Sequence, residues 1–248
     1  MKIIVKQSPT ELGEAAGKDA AERINKVIAE KDQANVILAT GTSQFETLNY
    51  LVEQKNIDWN KVVIFHLDEY IGLPISAPAS FRKYLQERFI DKVAPLKAVH
   101  LVDGETVNAK GECTRLGKLI SEHPIDVALV GIGENGHLAF NDPPADFDTP
   151  EPYIVVDLDE ECRKQQFNEG WFAFVNDVPK QAISMSINQV MKSKVIICSV
   201  PGKRKAVAVR NCLEKEICNQ YPASILRKHN NCTYYLDNES ASLLQPIK

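Results

Sequence analysis

Histidine is scarce in this chain, five in 248 residues. One of them, His137, stands in a glycine-rich stretch that ends on an aspartate: Gly131-Ile132-Gly133-Glu134-Asn135-Gly136-His137-Leu138-Ala139-Phe140-Asn141-Asp142. An imidazole beside a carboxylate that sets its tautomer can give and take protons near neutral pH, and Asp142 is close enough in sequence to be that carboxylate. The other four fall in plainer settings: His66 and His100 within strands, His123 at a helix end, His229 in a basic run. A second reactive group is the pair Asp68-Glu69, which ends the apolar run Val62–Leu67. Two carboxylates at the end of a buried strand are costly without a role, and alternation along an extended chain turns one toward a site and the other away. The third is Thr40-Gly41-Thr42-Ser43, a glycine and three hydroxyls where a strand meets a helix, which can aim N–H and O–H groups at one anion. Taken singly, each has a structural alternative: a backbone-bonded His137, an ion-paired Asp68, a plain helix cap at Ser43.

Elements must bring these three stretches together. Short β-branched runs alternate with amphipathic segments, the pattern of an α/β chain with a mostly parallel sheet covered by helices on both faces. Strands are predicted at Ile3–Lys6, Val36–Ala39, Val62–Leu67, Val99–Val102, Val127–Gly131, Ile154–Asp157, Ala182–Ile187, Val195–Val200 and Thr233–Leu236. Ser8-Pro9-Thr10-Glu11 is a capping box that starts a first helix, and Gln44–Gln54, Ser80–Ile90, Lys110–His123, Lys203–Leu213 and Ala223–His229 read as further helices. Asn141–Pro152 carries four prolines and must be loop. In such sheets the ligand lies beyond the carboxyl ends of the strands, where all three stretches fall. No linker or repeat interrupts the pattern, so residues 1–248 read as one domain.

The same order excludes some chemistry. Gly131, Gly133 and Gly136 spell a dinucleotide fingerprint, with Asp157 at the end of the next strand, but that fingerprint needs a helix to open inside it. Pro143, Pro144, Pro150 and Pro152 leave no room for one. The Thr40 loop lacks the lysine and spacing of a Walker loop. Charge balance is mildly acidic, 29 Lys+Arg against 33 Asp+Glu with a pI near 5.8, so there is no electrostatic footprint for nucleic acid or an anionic membrane. Apolar runs are strand-sized, and the start Met1–Lys6 has neither the length nor the cleavage site of a signal. Six scattered cysteines, with no Cys-x-x-Cys pair, are expected as reduced thiols in a cytoplasmic protein with no metal site.

Together, Thr40-Gly41-Thr42-Ser43, Asp68-Glu69-Tyr70-Ile71-Gly72-Leu73 and Gly133-Glu134-Asn135-Gly136-His137-Leu138-Ala139-Phe140-Asn141 resemble the three signature loops of the glucosamine-6-phosphate deaminase family, and the similarity runs along nearly the whole chain. The resemblance implies a Rossmann-like single domain that converts an amino-sugar phosphate and water to a ketose phosphate and ammonia without a cofactor, a step of amino-sugar catabolism. It implies that Asp68 moves the proton between C2 and C1, and that His137, with Asn135 and Asp142, serves the ring oxygen. Thr40, Gly41, Thr42, Ser43, Lys205 and Arg163 are implied to hold the 6-phosphate. Gly136 and Ala139 are placed in the substrate lining, and so is Glu69, although orienting neighbouring loops is its favoured role. A small-molecule substrate is the expected partner, and a homo-oligomer is a further expectation.

The chain departs from that family in several places. Asn135 and Asp142 stand where its well-known members have Asp and Glu, so His137 keeps one nearby carboxylate, shorter by a methylene. The Asn-Gly-His pattern also resembles galactosamine-6-phosphate enzymes, which leaves the sugar epimer open. Gln44 replaces a usual proline. Gly170-Trp171-Phe172 lacks the second of two arginines, and Tyr153-Ile154-Val155 lacks the basic charges of an activator pocket. 6-Phosphogluconolactonases share the glycine-histidine loop, but an arginine after the Asp-Glu pair and a Ser-Leu-Phe after the histidine would be expected of one. A sugar-phosphate sensor is the non-enzymatic alternative, supported only by the reduced charge around His137.

Overall fold

The computed structural model of the chain describes residues 1–93 and 95–245. Its strands are β1 (Lys2–Lys6), β2 (Ala34–Leu38), β3 (Val62–His66), β4 (Asp68–Tyr70), β5 (Ala98–His100), β6 (Val127–Val130), β7 (Tyr153–Asp157), β8 (Gln181–Met185), β9 (Val195–Val200) and β10 (Cys232–Asp237). Its α-helices are α1 (Pro9–Lys31), α2 (Phe45–Val52), α3 (Phe81–Leu85), α4 (Asp91–Val93), α5 (Ala109–Glu122), α6 (Glu160–Asn168), α7 (Ile187–Met191) and α8 (Ala206–Glu214). A π-helical turn, Gln86–Ile90, joins α3 to α4.

Seven strands form one sheet in the order β1-β10-β9-β6-β2-β3-β5, parallel throughout. Alternation splits its side chains between two cores. Val36, Leu38, Ile64 and Leu129 pack under α1 and α2 with Leu12, Ala16, Leu48 and Leu51. Ile37, Phe65, Ala128 and Cys198 face the other way, against Leu116 and Ile120 of α5 and Val209 of α8. Both faces are therefore covered; β2, β3, β6, β9 and β10 are buried along their length, and the edge strands β1 and β5 are partly exposed. The cap expected for α1 is present: the Ser8 side chain accepts from Glu11 N at 3.2 Å, with Pro9 in the first turn. The helix ends where Asp32 takes φ 61°.

From β2 the chain moves outward through β3 to β5, then returns to lay β6 on the other flank of β2 and continues away through β9 and β10. The strand order reverses between β2 and β6, and the loops leaving those two strands diverge there to open a crevice.

A second, antiparallel sheet of order β4-β8-β7 closes that end of the molecule. The segments read as strands at Ile154–Asp157 and Ala182–Ile187 belong to it and not to the parallel sheet. The Pro-rich loop before β7 supplies no crossover helix, so the chain doubles back instead. β4 itself was read as loop, because three residues with two carboxylates show no periodicity. Tyr70, Phe81, Phe140, Leu158, Cys162, Val178 and Ala182 make a third core at this sheet. The segment Ala223–His229 is a 3-10 helix, Pro222–Lys228. No helix of the described residues is long and apolar enough to cross a membrane, and all six cysteines are free.

Candidate active site

A cleft lies at the carboxyl ends of the parallel strands. Its walls begin one residue past β2 (Ala39), β3 (Leu67) and β6 (Gly131), and Lys205 enters from the turn after β9. Of the residues expected at a site, Thr40, Gly41, Ser43, Asp68, His137, Ala139 and Lys205 line it.

The anion loop is fixed from behind. Gly41 takes φ 87°, a conformation that suits only glycine, and a 3-10 turn Thr42–Gln44 leads into α2. Tyr84 donates its hydroxyl to Gly41 O at 3.1 Å. Gln44, fully buried, donates its Nε2 to Val130 O at 3.3 Å, so its side chain ties the loop to β6. Thr42 is turned away, onto a neighbouring cleft that it shares with Ser43, Lys205 and residues 201–204. Lys205 follows a matching construction: Gly202 at φ 92°, the 3-10 turn Lys203–Lys205, then α8. Burial pushes the Lys205 ammonium pKa down while Glu169 and Glu134 oppose that shift.

Asp68 is 5% exposed. Burial, with the Glu69 charge as a smaller cause, lifts its carboxyl to about 8. Glu69 points the other way and never reaches the cleft, which corrects its placement in the lining. It accepts from Tyr70 N (2.9 Å), Ser80 Oγ (2.8 Å), Phe81 N (3.2 Å) and Arg82 N (2.8 Å), and pairs with Arg82 Nε at 3.3 Å. It organises the turn into α3, as one of two alternating side chains must when only one can face the site.

The His137 ring lies flat on Gly133, where any Cβ would overlap it. Its Nδ1 is 3.2 Å from Asp142 Oδ1, outside good hydrogen-bond alignment but within ion-pair reach. Asn135 clasps both partners: its Oδ1 accepts from His137 N at 3.0 Å and its Nδ2 donates to Asp142 Oδ1 at 3.0 Å. Asp159 N donates to the other Asp142 oxygen at 3.1 Å. Burial alone raises the Asp142 pKa, but His137, Asn135 and Asp159 together hold it below the ordinary carboxylate range. Asn135 and Asp142 do not line the cleft; they act through His137. Cys162 joins His137 and Asp142 in the one group of metal-ligating side chains found among the described residues, with ligand atoms within 4.8 Å. Its thiol is buried and its pKa raised well above normal, so it sits there as a neutral donor beside Asp142.

Two more expected residues lie elsewhere. Gly136 adopts φ 90° and accepts from Ala223 N at 2.9 Å, packed against Cys212 away from the cleft. Arg163 spends its guanidinium on the carbonyls of Val178 (3.2 Å) and Val175 (3.0 Å), pinning the segment after α6. It contacts no part of the cleft because its position on α6 faces outward, whereas the opposite face carries Gln165, Gln166 and Glu169 to the wall. Those three were not anticipated. Gln165 Oε1 accepts from Glu134 N at 2.7 Å and its Nε2 donates to Glu169 at 3.2 Å. Helix α6 is too polar to show a stripe; only its cap, Asp159 accepting from Cys162 N with Glu160 and Glu161 next, announces it.

The cleft thus combines a buried carboxyl, a carboxylate-backed imidazole and one lysine beside a glycine-hydroxyl turn. Such a set can hold an anionic substrate by its phosphate while moving protons at a carbon and an oxygen several bonds away.

Comparisons with known proteins agree in direction. Residues 7–235 match the family model described as glucosamine-6-phosphate isomerases/6-phosphogluconolactonase. A glucosamine-6-phosphate deaminase of Listeria monocytogenes is 37% identical over 231 residues, 93% of this chain and 96% of that protein. A solved structure described as a monomeric glucosamine-6-phosphate deaminase superposes with a TM-score of 0.88 at 33% identity, covering 98% of this chain and all of that one. A 6-phosphogluconolactonase of Shewanella baltica, 16% identical, shares the fold with a TM-score of 0.80.

Proposed function

The chain belongs to the glucosamine-6-phosphate isomerase/6-phosphogluconolactonase family, and from that membership we propose that it converts glucosamine 6-phosphate and water to fructose 6-phosphate and ammonia. The observation that carries the reading is the buried Asp68 carboxyl, raised to about 8, in one cleft with His137 and Lys205. A carboxylate of that basicity suits abstraction of a proton next to a carbonyl far better than one of ordinary acidity.

In this reading the phosphate sits on the Thr40–Ser43 turn with the Lys205 ammonium, while Gly41 leaves the backbone free to approach it. His137, with Nδ1 toward Asp142, has Nε2 for the ring oxygen and opens the pyranose by carrying a proton to it. Asp68 then takes the C2 proton of the open-chain amino aldose and returns it to C1 while an N–H proton passes to O1, leaving a carbon–nitrogen double bond at C2. Water adds there and ammonia departs, so the atoms of sugar phosphate and water are all accounted for. No cofactor is needed, because the proton shift is internal.

The direct test is ammonia release from glucosamine 6-phosphate, with galactosamine 6-phosphate alongside to fix the epimer. Asp68→Asn should abolish release while substrate still binds, and Lys205→Ala should chiefly raise KM. Hydrolysis of 6-phosphogluconolactone with no ammonia from either amino sugar would overturn the proposal.

A further inference from the structure

The Gln166 side chain is 5% exposed and lines the cleft, yet only half of its amide is satisfied by the protein. Its Oε1 accepts from the Tyr70 hydroxyl at 2.8 Å. Among the described residues no group accepts from its Nε2. That nitrogen is not sealed inside the protein: it opens onto the cleft, where a ligand can accept from it. Phe81 and Phe140 stack with centroids 5.6 Å apart and line the same wall, and Tyr70 packs on both at 5.0 and 5.1 Å. An amide donor at the edge of an aromatic cluster, facing the cleft with its oxygen already held, is placed to pair with an acceptor on whatever fills it.

We propose that Gln166, oriented by Tyr70, binds a hydroxyl of the sugar and is a specificity residue of this site. The proposal rests on the sugar-phosphate reading above. A hexose offers apolar C–H groups and hydroxyl edges in one body, and the wall offers aromatic carbon beside a single aimed amide. Tyr70 makes the aim rigid. It is fully buried, so its phenol stays neutral and keeps a proton to donate. It also lies two residues from Asp68 on the same strand, and residues at that spacing share a face. The amide is therefore held at a fixed offset from the proposed base, so the hydroxyl it binds sets where C2 falls. Tyr70 is a positioning residue that need not touch the sugar.

Affinity for 2-amino-2-deoxyglucitol 6-phosphate, an unreactive reduced analogue, measured by calorimetry on the whole protein, reads binding apart from turnover. Gln166→Leu should weaken it about tenfold, the value of one well-made hydrogen bond, while the inhibition constant of inorganic phosphate stays put. Tyr70→Phe should give a smaller loss with the same split. In steady state both variants should raise KM with little change in kcat. Unchanged affinity in Gln166→Leu overturns the proposal, and so does a parallel loss for inorganic phosphate, which would mean that Gln166 only props the cleft. Should Gln166→Leu not fold, Gln166→Glu keeps the shape and the Tyr70 bond but removes the donor, and must show the same loss. Analogue binding without ammonia release from the parent counts against the reaction, whereas ammonia release with unchanged affinity in the variant counts against Gln166.

Discussion

At the scale of single residues, the geometry of the cleft turns on an absence of side chain. Gly133 carries no unusual positive φ, so its backbone would accept alanine, yet any Cβ there would overlap the His137 ring. Gly133→Ala should therefore fold and still displace the imidazole from its place. A shift of about an ångström in a proton-transferring group costs roughly a hundredfold in kcat, and the expected pattern is a lowered kcat with phosphate inhibition intact. Unimpaired turnover would show that the ring has no need of that seat. The places of Asp68 and His137 on the cleft are legible in the sequence because each lies past an apolar strand and is of a type that is expensive to bury idly; Lys205 is reached there only through the family resemblance. Arg163 and Gly136 were not placed correctly, because the sequence does not say which way a side chain faces or how a turn is rotated. Gln165, Gln166 and Glu169 were missed for a related reason: glutamine is chemically bland in a sequence and becomes informative only when its partners are visible.

At the scale of elements, the Thr40–Ser43 turn is positioned through helix α2 by the helix packed against it. Gly13 and Gly17 of α1 face α2 so closely that a Cβ at Gly13 would overlap Glu46 and one at Gly17 would come within 2.8 Å of Tyr50. Helix α2 carries the Thr40–Ser43 turn at its start, so the separation of the two helices sets the position of the turn. Alanine would return about 1 kcal/mol of helix propensity, but forcing the helices apart costs about 1–3 kcal/mol. Gly13→Ala should lower unfolding free energy in urea by about 1–2 kcal/mol and weaken phosphate inhibition; higher stability would mean that the helices part freely. Of the helices, α1 was readable to the residue at its start from its cap and proline. The parallel strands are readable as apolar runs, and their ends depart from expectation by at most two residues. The small antiparallel sheet was not readable, since a three-residue strand shows no alternation and the direction of pairing depends on loops that the pattern leaves undetermined.

At the scale of the whole molecule, the site and the stability of the fold make opposite demands on pH. Asp68 is raised from 3.8 to about 8, so between those values the folded protein holds a proton that the unfolded chain has lost, and stability falls as pH rises through that window. His66, buried and lowered from 6.5 to about 3, does the reverse: the unfolded chain gains a proton that the folded one refuses, and stability falls as pH drops through its window. Between about 4 and 6.5 these two slopes cancel, and above 6.5 only the Asp68 slope remains. Activity should rise with pH toward 8 as Asp68 ionises, while melting temperature declines over the same interval. Asp68→Asn, which mimics the protonated acid, should flatten the decline between pH 6.5 and 8 in a thermal melt; an equally steep fall would place the cost elsewhere.

The pairing of Asp68 with Ser184 across β4 and β8 draws together residues from opposite halves of the chain. Closing so long a loop costs entropy before any contact repays it, whereas β2, β3 and β5 lie close in sequence and pair cheaply. A chain in which β2, β3 and β5 had paired but β4 had not yet met β8 would lack the burial that raises Asp68, leaving an ordinary acid with no appetite for a proton on carbon. Its basicity is thus acquired with the fold, at the closure of the smallest sheet in the molecule.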